Sequence, residues 1–313
     1  MKKKAIIISI KGYQLSEQEK KLLANEKPWG LILFKRNIKS LTQVIELIKK
    51  IRKLSKDPKF PIMVDEEGES VSRLSKIINH NFSQRLLGNI YKSNPKIALI
   101  IYKNYINNLT IILKKIGINI NTVPVLDVLR KKTHRIIGNR SFSKDPYIVK
   151  KLGQICVKQY KLNKVGTVIK HIPGHGCASL DTHLKMPKVK LNYKNLNKID
   201  FFPFKNKKSL FAMTSHVVYN DIDKNFTATH SNKVIKFIRN KIKFKNLLIS
   251  DDISMKSLKF SISENTKKAF KAGCNLVLHC NARYGEMIEV AKNSPKVNAF
   301  ITKKTSQFYK ILS

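Results

Sequence analysis

The stretch 247-LLISDD-252 sets a short apolar run directly against two adjacent acids. Runs of this kind recur along the chain: 5-AIIISI-10, 31-LILF-34, 61-PIMV-64, 118-ININTVPVL-126 in outline, 166-GTVIKH-171, 210-LFAMTSH-216 and 275-NLVLHC-280, eight in all with 247-LLISD-251. Their hydrophobicity is continuous rather than alternating, which suits strands buried on both faces. Amphipathic segments such as 43-QVIELIKKIRKL-54 and 231-SNKVIKFIRNKI-242 lie between them and suit crossover helices. The pattern predicts an α/β protein of the (β/α)8 barrel type. The polar residues that end the runs sharpen this expectation. Asp65 and Glu66, Asp127, Lys170 and His171, His216, Asp251 and Asp252, and Asn281 would converge on the carboxyl-terminal mouth of a barrel, where enzymes of this fold keep their sites. A doubly wound open sheet is the competing arrangement, but no Gly-rich phosphate loop follows any run. The 313 residues suit one barrel, and no linker, repeat or low-complexity block divides them, so a single domain over 1–313 is expected. The last segment, 302-TKKTSQFYKILS-313, reads as a helix without a functional signal.

Against 20 acidic residues stand 62 Lys and Arg, a formal charge of +42. Such a balance suggests a nucleic-acid or membrane partner. The basic residues are, however, spread over predicted helix faces, and no basic stretch carries interleaved aromatics. The charge is therefore read as solvated surface, with weak polyanion binding in vitro and no specific nucleic-acid partner. It makes the acids informative: Asp65, Glu66, Glu67 and Glu69 place four of the twenty within five residues. The start, MKKKAIIISIKGYQ, has too short an apolar core for a signal peptide and reads as a first strand. No apolar run approaches the ~18 residues of a membrane span. Cys156, Cys177, Cys274 and Cys280 lack paired metal spacing and fit reduced thiols in a cytoplasmic protein.

The densest chemistry lies in 170-KHIPGHGCASLDTHLKMP-187, with His171, His175, Asp181 and His183. A metal site would need histidines held on one regular element, whereas Pro173 and Gly174 interrupt His171-x3-His175. A serine nucleophile lacks its elbow motif. A third chemistry pairs Asp251 as an anionic nucleophile with His183 as proton donor, since an imidazole near pKa ~6.5 suits proton transfer at neutral pH and the Asp181 carboxylate would raise it. From the residues alone this stands as one idea among several, because a strand-end Asp is often a helix cap.

The motifs resemble those of the bacterial β-N-acetylhexosaminidases of glycoside hydrolase family 3, the short single-domain cytoplasmic kind associated with peptidoglycan recycling. The likeness runs in one order from 28-PWGLILFKRN-37 through 64-VDEEGESVSRL-74, 123-VPVLDV-128, 137-IGNRSF-142, 170-KHIPGHG-176, 181-DTHL-184, 213-MTSHVVY-219 and 250-SDDISM-255 to 271-KAGCNLVLHCN-281. The resemblance implies a barrel, hydrolysis with retention of configuration, and no metal or organic cofactor. It implies Asp251 as the nucleophile, His183 as acid/base and Asp181 as its dyad partner. Asp65, Arg73, Arg140, Lys170 and His171 match positions that hold the terminal sugar. His175 is expected to brace the loop, and residues 174 to 184 to be displaced without ligand. Asp252 is expected to cap a helix or tie a loop, Met255 to pack, and His216, Asp127 and Asn281 to line or support the pocket.

The implied substrate is a small muropeptide fragment of the N-acetylglucosaminyl-anhydromuramyl type, cleaved in the cytoplasm by a monomer. The chain departs from the family where Gln-Glu-Gly-Gly-Arg is usual: it has Glu66-Glu67-Gly68-Glu69-Ser70. Asn246 and Ser143 also replace usual glycines, and Asn246 is expected to tolerate a positive φ. A phosphorolytic sugar transfer in the same fold and a non-enzymatic polyanion binder are the competing functions.

Overall fold

The computed structural model describes residues 3–131, 133–134, 137–178 and 187–313. Eight parallel strands close a barrel in chain order: β1 (Lys4–Ile8), β2 (Pro28–Leu33), β3 (Ile62–Val64), β4 (Ile120–Asn121), β5 (Gly166–Ile172), β6 (Phe211–Thr214), β7 (Leu247–Asp252) and β8 (Leu276–His279), with β8 pairing β1. Each expected run overlaps one of these strands. A pair of two-residue strands, Lys188–Val189 and Val218–Tyr219, forms a separate small sheet near the mouth.

Continuous hydrophobicity in the strands follows from two packed faces. Ala5 and Ile7 point into the cluster that fills the barrel, whereas Ile6 and Ile8 join the cluster between sheet and helices. The helices are started by side chains: Ser40 caps Leu41–Ser55, Ser231 caps Asn232–Asn240, and Ser261 with Glu264 forms a capping box on Ile262–Ala272. The segment read as a helix without a signal, Ala299–Leu312, is a helix with a structural task. Its Ile301 and Phe308 complete the inner cluster against Trp29 and Phe211, and Trp29 Nε1 donates to Thr305 Oγ1 at 2.8 Å. Trp29 and Phe211 stand at the starts of their strands, so this helix stoppers the amino-terminal end of the barrel.

Gly88 lies inside the helix Gln84–Ser93, where glycine costs ~1 kcal/mol relative to alanine. Contact explains it: a Cβ there would sit 1.8 Å from the carbonyl oxygen of Phe142. Gly88→Ala should therefore destabilise by about 1–3 kcal/mol, the usual cost of overpacking. It should also raise KM, because the displaced segment carries Arg140. Urea unfolding with wild-type midpoint would refute the close-approach account.

Candidate active site

At the carboxyl-terminal mouth lies a cavity of about 380 Å³. Asp65, Arg73, Arg140, Lys170, His171 and Asp251 all border it, so six of the eight expected site residues share one space. The other two, Asp181 and His183, lie outside the described residues, as does most of the 174–184 loop expected to move.

One wall is a buried ionic network. Lys170, at the end of β5, sends its ammonium to Asp65 Oδ1 at 2.9 Å and Glu67 Oε1 at 2.6 Å. Arg140 reaches both oxygens of Glu67, at 2.7 and 2.9 Å, and Arg73 stands 3.6 Å from Asp65. Thr122 donates to Asp65 as well. Burial opposes the charge on Asp65, Glu67, Lys170 and Arg140. The cations nevertheless hold Asp65 well below the carboxylate range and bring Glu67 to about 2, while the two carboxylates raise Lys170. Asp65, Glu67, Lys170 and Arg140 are thus ionised and present fixed charges to the cavity.

His171 is oriented from behind. Its Nδ1 lies 2.7 Å from Asp127 Oδ2, and Asp127 Oδ1 accepts the His175 backbone N–H at 2.6 Å. Burial works against the Asp127 charge, but His171 holds its pKa below the usual range, so the carboxylate accepts and His171 Nδ1 donates. Asp127 supports the site in this way without bordering the cavity. The His175 backbone ties the loop, while its ring borders the cavity, Nδ1 has no partner among the described residues, and burial pushes its pKa down to about 4.

Asp251 ends β7. Its Oδ1 accepts the Asp252 backbone N–H at 2.8 Å. Burial would favour the neutral acid, but the charges of His216 and His171, this amide, and Lys170 hold the carboxyl below its ordinary value. Asp252 also borders the cavity, yet its carboxylate is occupied by the amide and hydroxyl of Ser254 and by the Cys280 amide, which ties the loop. His216 supports the same turn, with Nε2 at 2.9 Å from the Asp252 carbonyl. Asn281 bonds Glu286 instead and does not border the cavity, and Met255 does.

Glu67 is the site residue that sequence reasoning missed. The signal was present in the four clustered acids, of which only Asp65 was given a role. The departures also find their places. Close approach falls at Gly68, with φ 146° and a Cβ position 2.4 Å from the Phe82 carbonyl oxygen, so Glu69 needs no glycine and instead accepts from Asn139 at 3.2 Å. Ser70 borders the cavity where the family has arginine. The positive-φ argument for Asn246 is not needed, because that conformation falls at Lys243, with φ 63°. Among the described residues no cluster of three or more metal-ligating side chains occurs, and no helix is long and apolar enough to cross a membrane.

The glycosyl hydrolase family 3 N-terminal domain matches residues 2–308. The chain belongs to glycosyl hydrolase family 3. Within this family of glycosidases it is 32% identical to the β-hexosaminidase of Nitrosomonas eutropha over 281 residues, 88% of this chain and 80% of that one. It is 31% identical to the β-hexosaminidase of Neisseria meningitidis, covering 88% of this chain and 78% of the relative. The structure is similar to NagZ of Neisseria gonorrhoeae in complex with N-trifluoroacetyl-D-glucosamine, with TM-score 0.88, 28% identity and coverage of 98% and 90%. A longer family 3 β-N-acetylglucosaminidase of Paenibacillus, of which the chain spans 60%, shares the fold at TM-score 0.85 and 22% identity.

Proposed function

We propose that the chain is a retaining exo-β-N-acetylglucosaminidase that releases the non-reducing N-acetylglucosamine of muropeptide fragments. The observation that carries this reading is the Asp251 carboxylate, held ionised at the edge of a cavity whose opposite wall is the Asp65–Lys170–Glu67–Arg140 network. The β-hexosaminidase relatives and the similarity to an N-acyl-glucosamine complex support the sugar class.

In the first step an Asp251 oxygen forms a bond to the anomeric carbon as the glycosidic C–O bond breaks, and His183, assisted by Asp181, protonates the departing oxygen. In the second, His183 takes a proton from water, whose oxygen displaces Asp251 and frees the sugar with its original configuration. Side chains account for every proton and electron pair, so the reaction needs no cofactor. The fragment itself is the partner, met by a monomer in the cytoplasm. Incubation with an activated fluoro-sugar and peptide mass mapping tests the assignment: the adduct is expected on Asp251, and labelling of another carboxylate overturns it.

A further inference from the structure

Beside the Asp251 cavity lies a second, of about 220 Å³, that no step above uses. It is built from successive loops of the same mouth. Lys188 follows β5, Lys224 to His230 follow β6, and Ser257 to Phe260 follow β7. The two cavities share the last loop, since Met255 borders the first and Ser257, two residues on, borders the second. A buried link also joins them. His216 holds the Asp252 carbonyl at 2.9 Å through Nε2, and its Nδ1 lies 2.8 Å from the hydroxyl of Thr229, the residue before His230 of the second wall.

Two kinds of surface meet there. Phe226 and Phe260 form an aromatic side, with Lys268 Nζ 5.5 and 4.2 Å from their ring centroids. Lys188, Lys224 and Lys259 stand exposed around the opening, and among the described residues no acid borders it. The neighbouring Asp223 is occupied within its loop, accepting from the Asn225 amide at 3.0 Å and the Ser231 hydroxyl at 2.6 Å. Cations at the rim and flat apolar faces together suit an anion attached to a less polar body.

We infer that this cavity is a leaving-group subsite for a carboxylate-bearing aglycone, such as the peptide of a muropeptide. The inference rests on the hexosaminidase reading, because a leaving group extending from a bond cleaved at Asp251 is what reaches it. Its effect is on kcat/KM for charged aglycones, with the sugar wall untouched.

The test compares a disaccharide-peptide carrying free carboxylates with the same molecule amidated, and with neutral 4-nitrophenyl β-N-acetylglucosaminide. At low salt the free acid should exceed the amide in kcat/KM about three- to tenfold, as two modest ion pairs allow. The gap should close in a Lys224→Gln, Lys259→Gln double variant and in high salt, while the nitrophenyl substrate is cleaved as before. A Lys50→Gln, Lys53→Gln variant lowers the net charge equally on the remote helix Leu41–Ser55 and should keep the gap. Equal rates for the acid and the amide, a gap retained without Lys224 and Lys259, or a gap lost equally in the remote variant would each overturn the subsite. Failure of wild-type protein to cleave any of the three substrates would instead overturn the hexosaminidase reading and the subsite with it.

Discussion

Asp251→Asn should reduce turnover of a chromogenic N-acetylglucosaminide by a factor on the order of 10⁴ or more, the scale on which enzymes lose rate when a covalent nucleophile is removed. The substitution is nearly isosteric, and an amide oxygen can still accept the Asp252 backbone N–H that Asp251 accepts at 2.8 Å. What disappears is the negative charge that His216, His171 and Lys170 stabilise. KM should move far less than kcat, because the Lys170 and Arg140 wall remains. Asp251→Ala supplies an independent check. Azide entering the vacated space would attack the anomeric carbon from the nucleophile's side as the aglycone leaves, giving a glycosyl azide of inverted configuration. Turnover within tenfold of wild type, or an azide product of retained configuration, is incompatible with Asp251 as the attacking group.

The second large effect is on stability. Lys170→Met should cost about 3–5 kcal/mol, because it strips the ammonium from Asp65 and Glu67 and leaves two buried carboxylates facing each other. In a chain of this length that lowers Tm by on the order of 10 °C. The pH dependence identifies the cause. Both carboxylates have folded pKa values depressed below their unfolded values of ~3.9 and ~4.3. Their contribution in wild type is therefore complete above about pH 5 and is withdrawn as pH falls toward about 2. In the variant the carboxyls, left with Arg140 on Glu67 and Arg73 and Thr122 on Asp65, take up protons at higher pH than in wild type, which relieves the repulsion. The difference between the two proteins should be greatest near neutrality and shrink as pH falls. A constant difference between pH 7 and pH 4 in urea titrations would assign the loss to packing.

The barrel was legible because each strand is buried on both sides and so reads as an unbroken apolar run. The run at 118–126 was less exact: only Ile120–Asn121 is regular strand, because Pro124 has no N–H to give, although Leu126 still donates to Lys170. The small sheet at 188–189 and 218–219 left no trace, two residues being too few for any periodicity. Asp65, Lys170, His171 and Asp251 could be found as polar ends of strands. Arg73 and Arg140 could not, since they sit on loops and only motif resemblance singled them out. Glu67 was hidden for a physical reason. Four acids crowd into residues 65–69, their spacing does not say which of them turns toward the site, and only the fold brings Glu67 between Lys170 and Arg140.

The side chains that fill the barrel, with the helix Ala299–Leu312 wedged under Trp29 and Phe211, close the floor of the mouth cavity. Whatever enters at the mouth must back out the same way. On the proposed reading, a sugar held against Asp251 is then the innermost passenger, and the fragment it was attached to stands nearer the door. Departure would be ordered, aglycone first and monosaccharide last, and a long glycan strand would present only its tip.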